Sequence, residues 1–356
     1  MKRQQTLRTA LVVGSLGAML AACGNGVTDV GASSDLPLSG QRLVYVGYGG
    51  DAAVAATKGW LEPFAEKTGV QYVADSPSDG AKIKAMVDSG RTTWDVVLID
   101  PGTGGRGCGT LFETRPSSLD VSEIDPKYVT DECGVPVSLE ALALVYNKEL
   151  YGDNPPTSTA DFLDTERFPG QRHILNYALG GVEPLLAADG VPPDAIYPID
   201  FGRVEKIVRA LGSDLTFDPT LAQQGEVLSS GNFGMCLCYT GRAALKAAAG
   251  ADIGVVFDKT YITWDAVYAV KGSKSPEAQL EFQQFVATAD GQIPYYTYLP
   301  YSPTIKGANL DVQEAFKPFM PDFNADKISE TYVTDVKWWN ENSASALDSW
   351  TKLTAG

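Results

Sequence analysis

Residues 42–75, RLVYVGYGGDAAVAATKGWLEPFAEKTGVQYVAD, pass from one kind of order to another and back. RLVYVGY at 42–48 is rich in residues that favour pleated backbone and reads as a strand. In the stretch that follows, Val54, Leu61 and Phe64 recur at near-helical spacing. Asp51 is placed to cap that helix, Pro63 should bend or interrupt it, and Gly69 should end it. VQYVAD at 70–75 is a second strand. A short helix follows in DGAKIKAMVDSG, with Ile83, Met86 and Val87 inward and Gly90 at its C-terminal end. WDVVLID (94–100) and PVSLEALALVYN (136–147) are further strands, nearly continuous in apolar character. This β-α-β-α-β order predicts an α/β lobe built on a mainly parallel sheet.

A second set of elements comes next. A capped helix is expected in TSTADFLDTERFPG, and helices ending in glycine in VEPLLAADG, FGRVEKIVRALG and PTLAQQGEVLSSG. FGMCLCY (233–239) is a strand, GRAALKAAAG a helix, and IGVVF (253–257) and YITWDAVYAV (261–270) two strands. SPEAQLEFQQFVATADG is an amphipathic helix with Pro276 in its first turn. Helical segments close the chain. Its 356 residues, 44% of them hydrophobic, suffice for two lobes. The net charge of −16 repels nucleic acid and anionic membrane surfaces and mildly favours cationic partners.

The N-terminus carries a basic stretch, MKRQQTLR, then the apolar run TALVVGSLGAML, too short for a stable membrane span. It ends in Leu20-Ala21-Ala22-Cys23, which resembles the lipobox of bacterial lipoproteins. Residues 1–22 are therefore expected to be a signal peptide, Cys23 a lipidated N-terminus, and 23–40 a flexible tether of about 23 Å root-mean-square length. Lipid chains would anchor the protein without spanning the bilayer. No other run of about 18 apolar residues occurs, so the remainder is expected to be soluble. Of the other cysteines, Cys108 and Cys133 lie in loop-like sequence and are expected to pair in an exported protein. Cys236 and Cys238 alternate along one strand, where a bridge would be strained, and read as separate buried apolar residues.

Catalytic motifs are scarce. GTGGRG (102–107) fits G-x-G-x-x-G, but Gly109 and Pro116 argue against the helix that a dinucleotide site requires. The single histidine, His173, has no G-x-S-x-G elbow to serve and reads as structural. No Walker loop, H-E-x-x-H or zinc-ligand spacing is present, so neither a metal nor a cofactor is expected. The chain reads as a binding protein rather than an enzyme.

One residue breaks its strand's chemistry. Asp265 lies inside YITWDAVYAV, and an isolated carboxylate is costly to bury. Upstream, FGMCLCY runs into TGRAALKAAAG, where Thr240 can cap a helix opened by Gly241 and Arg242. A helix N-terminus and a guanidinium fork both suit a carboxylate. Tyr239, Thr240, Gly241 and Arg242 thus form a candidate anion site and Asp265 a cation site, with Trp264 and Tyr261 able to offer ring faces to an ammonium. The plainer alternative is a direct Arg242–Asp265 ion pair.

The lipobox, GYGGDAA…GWLEPFAEKTG, WDVVLID, DFLDTERFPGQR, LLAADGVPPDAIY, YTGR, AVKGS and LPYSPT fall in an order that resembles extracellular solute-binding proteins of ABC importers, polyamine-type receptors and their γ-aminobutyrate-binding relatives above all. RGCGTLFE…DECGV resembles the family's cysteine pair. The resemblance implies a two-lobed periplasmic-binding-protein type II fold, each lobe a mainly parallel sheet flanked by helices. Lobe 1 would comprise 41–138 and 267–320, lobe 2 residues 139–266, with crossovers near Ser138 and Ala266; the lobe carrying 321–356 is left open. It implies that Arg242 holds a ligand carboxylate, with Thr240 where relatives carry Asn, and that Asp265 holds the amine. A small zwitterion such as γ-aminobutyrate is favoured over putrescine or spermidine, against which Arg242 would repel. Tyr48 and Gly49 at the first strand's end, Ser138 at the crossover and Tyr301 in LPYSPT are further cleft candidates. Asp100 either faces the cleft or caps the glycine loop, the cap being favoured, and Glu140, close behind Ser138, is like it a weaker cleft candidate with a hinge role as the alternative. YYTYLPY raises a ferric-iron receptor as a rival, but it lies away from the iron-binding relatives' tyrosines. The implied partners are a small amine ligand and an ABC permease, and the implied state is a monomer on the outer face of the cytoplasmic membrane or in the periplasm.

Overall fold

The computed structural model describes residues 36–355; the leader at 1–22, Cys23 and the first part of the expected tether lie outside them. The end of that tether is not free. Leu38 is buried and its N–H donates to the Thr68 carbonyl at 2.8 Å. Burying a leucine contributes roughly 2 kcal/mol, which offsets the ordering of one or two residues, and the folded part begins before Gln41.

The alternation read from 42–107 yields β1 (Arg42–Val46), α1 (Asp51–Ala56), α2 (Glu62–Thr68), β2 (Gln71–Asp75), α3 (Gly80–Asp88), β3 (Val96–Ile99) and α4 (Pro101–Gly107). β1 pairs in parallel with both β2 and β3. Residues 57–61 form a π-helical turn between α1 and α2. Pro63 has no N–H to offer the carbonyl one turn back, and the wider turn before it absorbs the mismatch. The proline therefore widens the helix without ending it, and Gly69 ends it at φ 77°. Asp51 does not cap α1; Gly50 holds that position. α4 departs from expectation, since the glycine run winds into a short helix. Asp100 caps it by accepting from the Thr103 N–H at 2.8 Å. A Cβ on Gly104 would stand 2.0 Å from the Tyr268 ring, so this glycine serves packing.

β4 (Val135–Asn147), α5 (Lys148–Tyr151), β5 (Arg172–Leu175), α6 (Val182–Ala188), α7 (Phe201–Leu211), β6 (Leu215–Asp218), α8 (Leu221–Ser230), β7 (Met235–Tyr239), α9 (Thr240–Ala248) and β8 (Ile253–Ala269) follow. α10 (Pro276–Val286), α11 (Ala289–Gln292), β9 (Ser302–Pro303), β10 (Glu330–Val333) and α12 (Val336–Thr354) complete the order. The two strands expected over 253–270 are one strand of 17 residues. Asp258 does not interrupt it, because its carboxylate accepts from Ser158 Oγ and the Thr159 N–H, each at 2.8 Å.

β4 and β8 pair antiparallel over most of their length. At one end β8 joins β3 antiparallel, with β1 and β2 beyond. At the other β4 joins β7 antiparallel, with β5 and β6 beyond in parallel. Two lobes result, each a parallel trio of strands completed by the shared antiparallel pair. The sheets are mixed rather than mainly parallel. A chain that crosses between lobes and returns must run its two crossover strands in opposite directions. β10 adds to β8 in parallel at 259–262, and α12 packs against both α4 and α7, so the C-terminal segment touches both lobes.

The structure joins Cys108 to Cys133 with their Cα atoms 5.6 Å apart. It also joins Cys236 to Cys238, where two separate thiols were expected. Alternate strand residues share a face, and a Cα separation of 5.3 Å lies within bridging range. His173 is structural: Nδ1 meets Asp218 Oδ1 at 2.9 Å inside the second lobe. Among the described residues no helix is long and apolar enough to cross a membrane.

Candidate functional site

A cleft of about 1430 Å3 opens between the lobes where β4 and β8 cross. Side chains alternate across a strand, so Thr263 and Asp265 face the cleft while Trp264 between them cannot. Trp264 packs instead against Tyr128, ring centroids 5.3 Å apart, on the opposite face. It is not a cleft residue, and the expected ring face for an ammonium is absent there. Tyr261 likewise lies buried away from the cleft, bonded to Thr334 Oγ1 at 2.6 Å.

Asp265 is buried. Its Oδ1 accepts from the Tyr48 hydroxyl at 3.0 Å, and its Oδ2 has no partner. Burial raises its pKa to about 6. Arg242, on the first turn of α9, lines the same cleft. It does not pair with Asp265: among the described residues its one ion-pair contact is Nη1 to Asp51 Oδ2 at 3.9 Å. Its Nε is buried and has no hydrogen-bond partner. Burial works against the Arg242 charge, the Glu140 carboxyl favours it, and the guanidinium stays protonated.

The remaining expected residues divide. Tyr48, Gly49, Tyr239 and Tyr301 line the cleft, the last two with rings 6.4 Å apart. Asp100 both caps α4 and faces the cleft. Thr240 and Gly241 do not line it. The N-cap of α9 is Tyr239 rather than Thr240, and no side chain bonds that helix start. Gly241 has a packing role, since a Cβ there would lie 2.5 Å from the Tyr301 ring and 2.6 Å from the Pro300 carbonyl. Ser138 pairs in register with Asp265 but is fully buried, with its hydroxyl unpartnered, and does not reach the cleft.

Four further residues border the cleft. Glu140 pairs in register with Thr263, which puts both on the face of Asp265. Tyr295 stacks on Trp60, centroids 4.2 Å apart, because Gly59 lets residues 294–295 approach the π-helical turn. Asp51 reaches from the first lobe toward Lys246 of the second, Oδ2 to Nζ 3.4 Å. The period-two alternation of β4 could have flagged Glu140; nothing local in the sequence marks Tyr295, Asp51 or Lys246. The one group of potential metal ligands among the described residues, Cys108, Asp131 and Cys133, is closed by the disulfide.

Residues 59–328 match the family described as bacterial extracellular solute-binding protein. A γ-aminobutyric acid-binding protein of Pseudomonas aeruginosa is 27% identical over 309 residues, 84% of this chain and 87% of that protein. The solved Atu4243–GABA receptor is 26% identical, with TM-score 0.79 over 88% of this chain and 98% of that one. The binding protein AgtB of Agrobacterium tumefaciens R10, solved with agropinic acid, is 24% identical, with TM-score 0.80 over 89% of this chain and 99% of that one, and shares the fold. The chain belongs to the bacterial extracellular solute-binding proteins. It has their two-lobed type II fold, and it is an exported, periplasmic-type substrate-binding protein of an ABC uptake system that takes a small molecule between its lobes.

Proposed function

We propose that the molecule captured is a small amine-bearing zwitterion, γ-aminobutyrate or a similar ω-amino acid, which a lipid-anchored receptor passes to its permease without turnover. One observation carries this reading. Two buried orphan atoms of opposite polarity, the donor Arg242 Nε and the acceptor Asp265 Oδ2, belong to residues lining one cleft. Each unmade bond costs about 1–3 kcal/mol, and a zwitterion would relieve both. The carboxylate would go to the Arg242 fork and the amine to Asp265, with Tyr48 and Tyr301 beside them. The names of the Pseudomonas protein and of the Atu4243 receptor support the same ligand class.

The grouping of Asp100 and Glu140 with Asp265 favours a second reading, a diamine or polyamine, which the Arg242 charge opposes. Calorimetry with 4-aminobutyrate, 5-aminovalerate, 4-guanidinobutyrate, putrescine and spermidine separates the two. Micromolar binding, about −8 kcal/mol, is expected for the zwitterions. Binding of the diamines alone would overturn the reading, as would wild-type affinity in Asp265→Ala.

A further inference from the structure

Glu140 and Asp265 lie on adjacent antiparallel strands, and the register turns both into the cleft. Glu140 pairs with Thr263 and Ser138 with Asp265, so the two acids are diagonal cross-strand neighbours on one face, and each carboxyl acts on the other's charge. The groups facing Asp265 are the phenols of Tyr45 on β1 and Tyr48 just after it, those of Tyr239 and Tyr301, the Asp100 carboxylate at the end of β3, and Arg242 of α9. Those facing Glu140 are Arg242 again and the phenols of Tyr48, Tyr239, Tyr295, Tyr296 and Tyr301. Every one of these phenols is pushed above its ordinary value by burial and stays neutral near pH 7. Among the described residues Arg242 is the cation that acts on both carboxyls; its ion-pair contact is Asp51 at 3.9 Å, and Lys246 also lines the cleft. Two carboxylates side by side in such a wall cannot both ionise cheaply, and sharing one proton is the ordinary remedy.

We infer that Glu140 and Asp265 form one seat that holds a shared proton while the cleft is empty and exchanges it for the ligand's fixed positive charge. The balance is simple. A carboxylic acid, its partner carboxylate and an incoming cation become two carboxylates around that cation, and the proton leaves to solvent. A seat of two acceptors selects a cation with several N–H donors, a primary ammonium or a guanidinium, over a methylated one. Burial supports this by raising Glu140 well above the ordinary carboxylate range and Asp265 to about 6. Coupled carboxyls titrate as a pair, so the proton belongs to both. The inference rests on the zwitterion reading above and adds Glu140 to it.

The test is calorimetry of 4-aminobutyrate, 5-aminovalerate and 4-guanidinobutyrate in buffers of different ionisation enthalpy at pH 7. The wild type is expected to release close to one proton per ligand, and Glu140→Gln close to none. Because the proton competes with the ligand, wild-type affinity is lost as pH falls, by up to tenfold between pH 7 and 6, with a shallower loss in Glu140→Gln. The trimethylammonium analogue of 4-aminobutyrate should bind at least ~100-fold more weakly. Binding with no proton release, and a Glu140→Gln profile equal to the wild type's, would overturn the shared seat and leave the zwitterion reading standing. Should no panel member bind, that reading falls, and carboxyl-carbon NMR of the ligand-free protein decides the seat. A Glu140 carboxyl titrating near its ordinary ~4.3 refutes it; one titrating above 6, and lowered in Asp265→Asn, upholds it.

Discussion

Arg242 and Asp265 divide the cleft's chemistry because each is buried with one polar atom unused. Arg242→Lys keeps the charge but loses the planar fork, so it should cost at least tenfold in affinity for an ω-amino acid. Arg242→Ala should cost more, about 2–5 kcal/mol, and calorimetry with 4-aminobutyrate reads both. Trp264→Phe offers a contrast. Its ring lies on the far face of β8 against Tyr128, so ligand affinity should stay within about twofold of wild type; a tenfold loss would return Trp264 to the cleft. The sequence made the two charges legible because an acid inside a strand and an arginine at a helix start are both anomalies. It misplaced Trp264, which sits next to Asp265 in the chain and is turned from it by the pleat. Glu140 was visible but left between the cleft and a hinge role, since its meaning depends on the register of β4 against β8, which sets it opposite Thr263 and diagonal to Asp265.

At the level of elements, α9 works because glycine precedes the arginine. A Cβ at 241 would meet the Tyr301 ring and the Pro300 carbonyl at 2.5 and 2.6 Å, and the second of these is backbone that cannot swing aside. Gly241→Ala should therefore push the 300–301 loop outward. A cost of about 1–3 kcal/mol in thermal unfolding is expected, together with weaker ligand binding, because Tyr301 lines the cleft. Unchanged stability and affinity would show that the loop does not need this approach. The Cys108–Cys133 bridge closes a loop of sequence separation 25. Replacing both with serine should lower stability by about 3 kcal/mol in denaturant unfolding. Periodicity marked most elements well, since strand and helix patterns depend on local spacing. It failed where the tertiary setting decides. The glycine run became α4 because Asp100 caps it and Tyr268 needs bare backbone beside it. Residues 253–269 became one strand because Asp258 spends its carboxylate on Ser158 and Thr159.

At the scale of the whole molecule, the alternation of strand and helix revealed an α/β chain, but the two crossover strands that make its sheets mixed follow from topology rather than local pattern. The resulting cleft, about 1430 Å3, is already bridged between lobes at Asp51, and a ligand held by residues of both lobes should favour this closed arrangement over an opened one. Small-angle scattering should then record a smaller radius of gyration on adding 4-aminobutyrate. Asp51 is the first lobe's contribution to that closure. Its Oδ2 faces Lys246 at 3.4 Å and Arg242 at 3.9 Å across the gap. With 38% of the Asp51 side chain exposed, solvent screens the contact, and its worth is about 0.2–1 kcal/mol. Asp51→Asn should thus weaken the ligand by no more than about fivefold, whereas loss of Arg242 or Asp265 should be far more damaging. Raising salt from about 0.05 to 0.5 M should erase most of the difference between Asp51→Asn and wild type, because the Debye length falls well below 10 Å. If Asp51→Asn abolished binding at every salt concentration, Asp51 would be holding the ligand itself, and the division of labour between grip and closure would have to be redrawn.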